Sequence, residues 1–150
     1  MSRIRMLVAF CGAIAVLAGL ATVSSAADTK LFATMNGKQE KPAGDPNGTG
    51  KATLTFKATQ VCYDIRPVKA GLTFAAGHIH KGAKGVAGDV VLPLFQSPKK
   101  LKGGKLTGCA TAKASVIKAI KAKPSGYYVN VHSGAFPAGV IRGQLSKTAG

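Results

Sequence analysis

Polar and apolar residues alternate without a break through Lys51-Ala52-Thr53-Leu54-Thr55-Phe56-Lys57-Ala58. That period of two puts Leu54 and Phe56 on one face and Thr53 and Thr55 on the other, the mark of a half-buried strand. Similar short β-prone stretches lie at Leu31 to Met35, Val61 to Ile65, Ala75 to His80, Val90 to Phe95, Leu106 to Ala110, Tyr127 to His132 and Val140 to Leu145. The stretches Pro42 to Gly50 and Gly82 to Gly88 carry turn residues, and Asn47-Gly48-Thr49 reads as a turn rather than as a glycosylation acceptor. One segment departs from the pattern. Ser115 can cap a short helix with Val116, Ile117 and Ile120 at helical spacing, before Lys123-Pro124 ends it. The pattern predicts an all-β fold, an antiparallel β-sandwich with one short crossover helix.

The first 26 residues stand outside this pattern. Arg3 and Arg5 precede an apolar run from Met6 to Val23, and Ser24-Ser25-Ala26 offers the small residues of a cleavage site. We expect residues 1–26 to be a cleaved signal peptide, residues 28–146 to form one domain, and the protein to be secreted or periplasmic, with no transmembrane anchor after cleavage. Cys11 follows bulky Phe10, which argues against lipid anchoring. Removal of the signal leaves Cys62 and Cys109 in an oxidising compartment, where they are expected to pair as a disulfide rather than persist as buried free thiols. On the chain-entropy model such a link, 47 residues apart in sequence, stabilises the fold by about 4 kcal/mol.

Composition narrows the function classes. With 150 residues, 46% of them hydrophobic and 17% charged, the chain can bury one core. Lys and Arg number 21 against 5 acids, for a net charge of +16; without Arg3 and Arg5 the balance is 19 to 5, or +14. Among the basic residues beyond the signal only Arg66 and Arg142 are arginines, so bidentate recognition of phosphates or bases is poorly supplied and nucleic acid is not an expected partner. Lys99, Lys100, Lys102 and Lys105 form one cluster and Lys113, Lys118, Lys121 and Lys123 another. They fit adhesion to an anionic envelope polymer, a protein or a membrane, or a solvated surface that keeps an exported protein soluble.

His78-Ile79-His80 carries the sharpest chemistry, because side chains two apart on a strand share a face and two imidazoles can converge on one ion. His132 ends another predicted strand that could bring a third ring to the pair. Three imidazoles suit copper or zinc, with Cu(II) bound more tightly at equal geometry. The alternative is that the rings hydrogen-bond backbone or tyrosine hydroxyls and fix loops at the end of the sandwich. A hydrolytic centre would want a carboxylate base from Asp28, Glu40, Asp45, Asp64 or Asp89; Asp89, nearest in sequence to the pair, reads better as a turn residue. Ser133 sits in no nucleophile motif, and no hydrolase is expected.

Gly77 to Val91 and Pro124 to His132, continued by Ala135 to Leu145 and preceded by Gly37-Lys38-Gln39-Glu40 and Cys62-Tyr63, resemble the CHRD, or chordin, domain family in order and over nearly the whole expected mature chain. Lys41-Pro42 departs from the family pattern, which often has an apolar residue before one or two prolines. The resemblance implies an extracytoplasmic sandwich-like module, immunoglobulin-like or superoxide-dismutase-like in form, with no established enzyme activity. His-x-His followed by a later Val-His is also similar to part of the copper site of copper/zinc superoxide dismutases. Three histidines cannot supply both metal sites of such an enzyme, so a copper-only redox centre with Arg142 nearby is the enzymatic alternative. The leading expectation is a non-enzymatic binding module that holds copper or zinc at His78, His80 and His132. Tyr128, Asn130 and Arg142 are candidates to support those rings, as is Tyr127 unless it packs in the core. The other alternative is a structural or adhesive envelope protein.

Overall fold

The structure, a computed structural model, describes residues 27–68 and 73–150. The expected signal peptide lies outside the described residues. The strands are β1 (Thr29–Asn36), β2 (Thr49–Phe56), β3 (Gln60–Pro67), β4 (Thr73–Lys81), β5 (Val90–Phe95), β6 (Lys99–Lys100), β7 (Leu106–Thr111), β8 (Tyr127–Ser133) and β9 (Ile141–Gln144). One helix, α1 (Ala114–Ala122), crosses from β7 to β8. The fold is all-β with one short helix, as the alternation requires.

Hydrogen bonding follows a single antiparallel path, β5-β4-β8-β9-β1-β2-β3-β7, with β6 paired to β4. Its two ends, β5 and β7, lie against each other, so the sheet nearly closes as a barrel or sandwich-like body. In β2, Ala52, Leu54 and Phe56 are buried while Lys51 is exposed and Thr53 and Thr55 are partly so, which places the apolar phase inside. Leu31, Ile65, Phe74, Ile79, Leu106, Val129 and Val131 join that core from other strands.

The helix forms for a different reason than its expected cap. Lys113, not Ser115, holds the cap position, and it makes no side-chain capping bond. The first turn instead closes on the Lys113 carbonyl, which accepts from the amides of Val116 and Ile117 at 3.0 and 3.1 Å. Burial of Ile117 and Ile120 in the core fixes the helix, so tertiary packing outweighs capping. Lys123-Pro124 ends it as expected. The two-residue β6 has too little alternation to be seen in the sequence.

Cys62 and Cys109 face each other across β3 and β7 and are joined by a disulfide, with Cα atoms 3.9 Å apart. The bond links strands distant in sequence that are neighbours in the sheet, at the end of the hydrogen-bonded path. Replacing both cysteines by serine is expected to cost about 2–5 kcal/mol of unfolding free energy in urea titrations. A loss below about 0.5 kcal/mol would mean that the β3–β7 pairing holds without the cross-link.

Candidate metal centre

Strand β8 shows how the site is built. Val129 and Val131 point into the core and are fully buried, which turns Tyr128, Asn130 and His132 to the outer face. Register places Tyr128 opposite His80, Asn130 opposite His78, and His132 opposite Ala76 on β4. On the other side β9 sets Arg142 beside Asn130 and Gln144 beside Tyr128. The outer face of three adjacent strands thus carries one continuous polar layer.

Most of that layer is buried: Tyr128 is 4% exposed, Asn130 2%, Arg142 3% and His80 9%. The cover comes from the segments 37–48 and 82–89. Arg142 joins them, because its Nε donates to the Gln39 carbonyl and its Nη1 to the Val86 carbonyl at 3.0 Å. Its guanidinium lies over the Tyr128 ring, 4.4 Å from the centroid, and the Tyr128 ring stacks on His80 at 4.8 Å with an interplanar angle of 6°. Gln144 adds a second tie, since the two protons of its Nε2 are shared among the carbonyls of Gly82, Ser125 and Tyr127.

The three histidines do come together, with one ligating nitrogen from each lying within 4.8 Å of the others. His78 Nδ1 and His132 Nε2 are 3.1 Å apart. Metal–nitrogen bonds of about 2.0–2.1 Å in tetrahedral geometry separate neighbouring ligand nitrogens by about 3.3 Å, so this pair is already near ligand spacing. His80 Nδ1 donates to the Gly88 carbonyl at 2.8 Å, and His132 Nδ1 to the Pro137 carbonyl at 3.0 Å. Each bond calls for a proton on Nδ1, which leaves the lone pair on Nε2; at His80 that nitrogen is unengaged, whereas His132 Nε2 lies within hydrogen-bond reach of His78 Nδ1 and Asn130 Oδ1. His80 Nε2 is buried and has no hydrogen-bond partner among the described residues, the condition of a nitrogen that awaits one.

The electrostatics agree with the geometry. Burial, reinforced by the two neighbouring rings, depresses the His78 pKa from 6.5 to about 4. Burial also lowers His132, against the raising effect of its bond to Pro137. Both rings are therefore neutral at pH 7, the form that binds metals.

The supporting residues divide. Asn130 Oδ1 lies 3.2 Å from His132 Nε2, and Tyr128 backs His80, so both touch the cluster. Tyr127 packs instead against the hydrophobic core. Arg142 meets the cluster through the Tyr128 ring; its Nε and Nη1 are taken by the two loop carbonyls, while its Nη2 is buried with no hydrogen-bond partner among the described residues. Asp89 is exposed, and its main-chain carbonyl accepts from the Lys81 amide.

Sequence reasoning gave Glu40 no part in this site. Its carboxylate is 2% exposed and 3.9 Å from Arg142 Nε, and the Asn130 side chain hydrogen-bonds it. Burial raises its pKa to about 7 despite both neighbours. Gly139, at φ +142°, runs so close that a Cβ there would overlap the Glu40 carboxylate. The signal was the rarity of acids in the chain, together with the Gly37-Lys38-Gln39-Glu40 motif. The carbonyl partners, on Gln39, Val86, Gly88 and Pro137, leave no trace in residue identity.

A family model described as CHRD domain matches residues 31–145. The chain belongs to the CHRD domain family. Neither a curated protein nor a solved structure matches it. The matched span of the CHRD domain contains the three histidines, the disulfide and both covering segments. Among the described residues no helix is long and apolar enough to cross a membrane.

Two measurements test this layer. A Cβ at Gly88 would overlap the Lys81 carbonyl, so Gly88→Ala must push away the loop that holds His80. It is expected to cost about 1–3 kcal/mol in urea unfolding, and an unchanged midpoint would contradict the close approach. Glu40 keeps its proton in the fold where the unfolded chain gives it up, so its contribution is present below pH 4.5 and lost as pH rises to about 7. His78 and His132 work oppositely, with stability lost as pH falls from 6.5 toward the folded His78 value of about 4. Glu40→Gln should therefore gain stability relative to the parent between pH 4.5 and 7, on the order of 1–3 kcal/mol. A difference that stays flat or shrinks with pH would refute the raised carboxyl pKa.

Proposed function

We propose that this CHRD domain is an exported binding module that holds one copper or zinc ion at His78, His80 and His132 without turning over a substrate. The observation that carries the reading is the convergence of three ring nitrogens within 4.8 Å, two of them on rings held by backbone carbonyls. The expectation that the rings fix loops is compatible with this, because the loop bonds use Nδ1 of His80 and His132 and spare Nε2. The disulfide and the family resemblance support export. Three imidazole ligands favour Cu(II) over Zn(II) on the general affinity order.

The lysines favour a second reading. Lys99, Lys100, Lys102 and Lys105 line one hollow of ≈ 210 Å³ with Leu106 and Thr107, a surface suited to an anionic envelope polymer. In that reading the histidines serve only the loops.

Titration of the purified protein with Cu(II) and Zn(II) at pH 7 separates the two. One equivalent should bind, and His78→Ala/His80→Ala/His132→Ala, with its fold confirmed by circular dichroism, should lose at least about a hundredfold in affinity, since each ligand contributes several-fold or more. Equal weak binding by both proteins would reject the metal reading. Loss of polymer binding on replacing the four lysines by glutamate, with the histidine variant unaffected, would establish the adhesive one.

A further inference from the structure

A groove of ≈ 410 Å³ lies between α1 and the end of β2, on neither the histidine layer nor the hollow of Lys99 and Lys105. The volume falls within the range of small-molecule sites. Its apolar lining includes Phe56, Ala58, Ala114 and Ile117. Ala114, Lys118 and Lys121 follow one another at i, i+4 and i+7, so they form a single stripe along the helix that faces the groove. Lys57 stands at the end of the facing strand, so three ammonium groups border the groove and no acid lines it.

Two features bear on what this groove can hold. None of the three lysines has an ion-pair partner among the described residues, although like charges gathered on one rim repel. The floor is apolar: Phe56 and Ile117 lie beneath exposed alanines, and the alkyl stems of the lysines extend the apolar wall toward their charged ends. A ligand that satisfies both must pair an alkyl chain with a negative head. We propose that the groove between α1 and β2 binds a single-chain anionic amphiphile, its chain along Ala58 and Ala114 and its head against Lys57, Lys118 and Lys121. Nucleic acids and sugars lack the chain; cationic amphiphiles are repelled by the rim.

Calorimetric titration of the purified protein with decanoate, below its micelle concentration, tests the assignment. Saturable one-to-one binding is expected, while acetate, which has the head alone, and decyltrimethylammonium, which has the chain with the opposite charge, should not saturate in the same range. Lys118→Glu/Lys121→Glu should weaken decanoate binding at least about tenfold. Ala114→Trp should abolish it by filling the groove from the helix side, and Ala58→Trp does the same from the strand side should the helix variant lose structure. The absence of saturable decanoate binding, equal binding of either control ligand, or indifference to all of these substitutions would overturn the proposal. Metal titration of the same variants should be unchanged.

Discussion

A buried guanidinium on the outside of a β-sheet is the constraint on which the rest of this structure depends. Removing the charge of Arg142 from water costs several kcal/mol unless its donors find acceptors. Strand β9 puts that side chain on the outer face, where no core side chain can meet it, so the acceptors must come from chain that folds back over the sheet. The carbonyls of Gln39 and Val86 answer from two different segments, and the carboxyl of Glu40 arrives with the first of them. Arg142 thereby ties both covering segments to the sheet, and Gln144 holds Gly82 beside it.

The histidines gain their geometry from that cover. His80 is pressed between Tyr128 and the carbonyl of Gly88, on a loop that Arg142 holds by Val86. His132 is aligned by the turn that ends at Gly139, which itself fits against Glu40. Burial then keeps His78 and His132 neutral. The strand register brings the rings together, but the loops decide which nitrogen His80 and His132 present. A metal site of this kind is assembled largely from main-chain acceptors, with side chains as ligands.

How much of this the sequence disclosed follows from what each feature depends on. Alternation in Lys51 to Ala58 and the apolar pairs Val129/Val131 and Leu54/Phe56 depend only on local period, and eight of the nine strands could be read from it. His78 and His80 could be placed on one face for the same reason. The pairing of His132 with them depends on the β4–β8 register, which no local pattern encodes. Tyr128, Asn130 and Arg142 could be named from the sequence as candidates to support the rings, but their near-complete burial reflects cover by segments far along the chain. Glu40 was hardest to see, because a carboxylate beside a turn is nearly always solvated, and only the distant Arg142 makes this one different.

The central claim is that the fold presets the cluster for a metal by holding the Nδ1 protons of His80 and His132, and nitrogen NMR of the histidine side chains reads this most directly. In EDTA-treated, ¹⁵N-labelled protein at pH 7, the account predicts neutral rings at His78 and His132, with protonated Nδ1 and unprotonated Nε2 at both His80 and His132. Protons on Nε2 of His80 and His132, or rings that flip and titrate like free histidine, would contradict it.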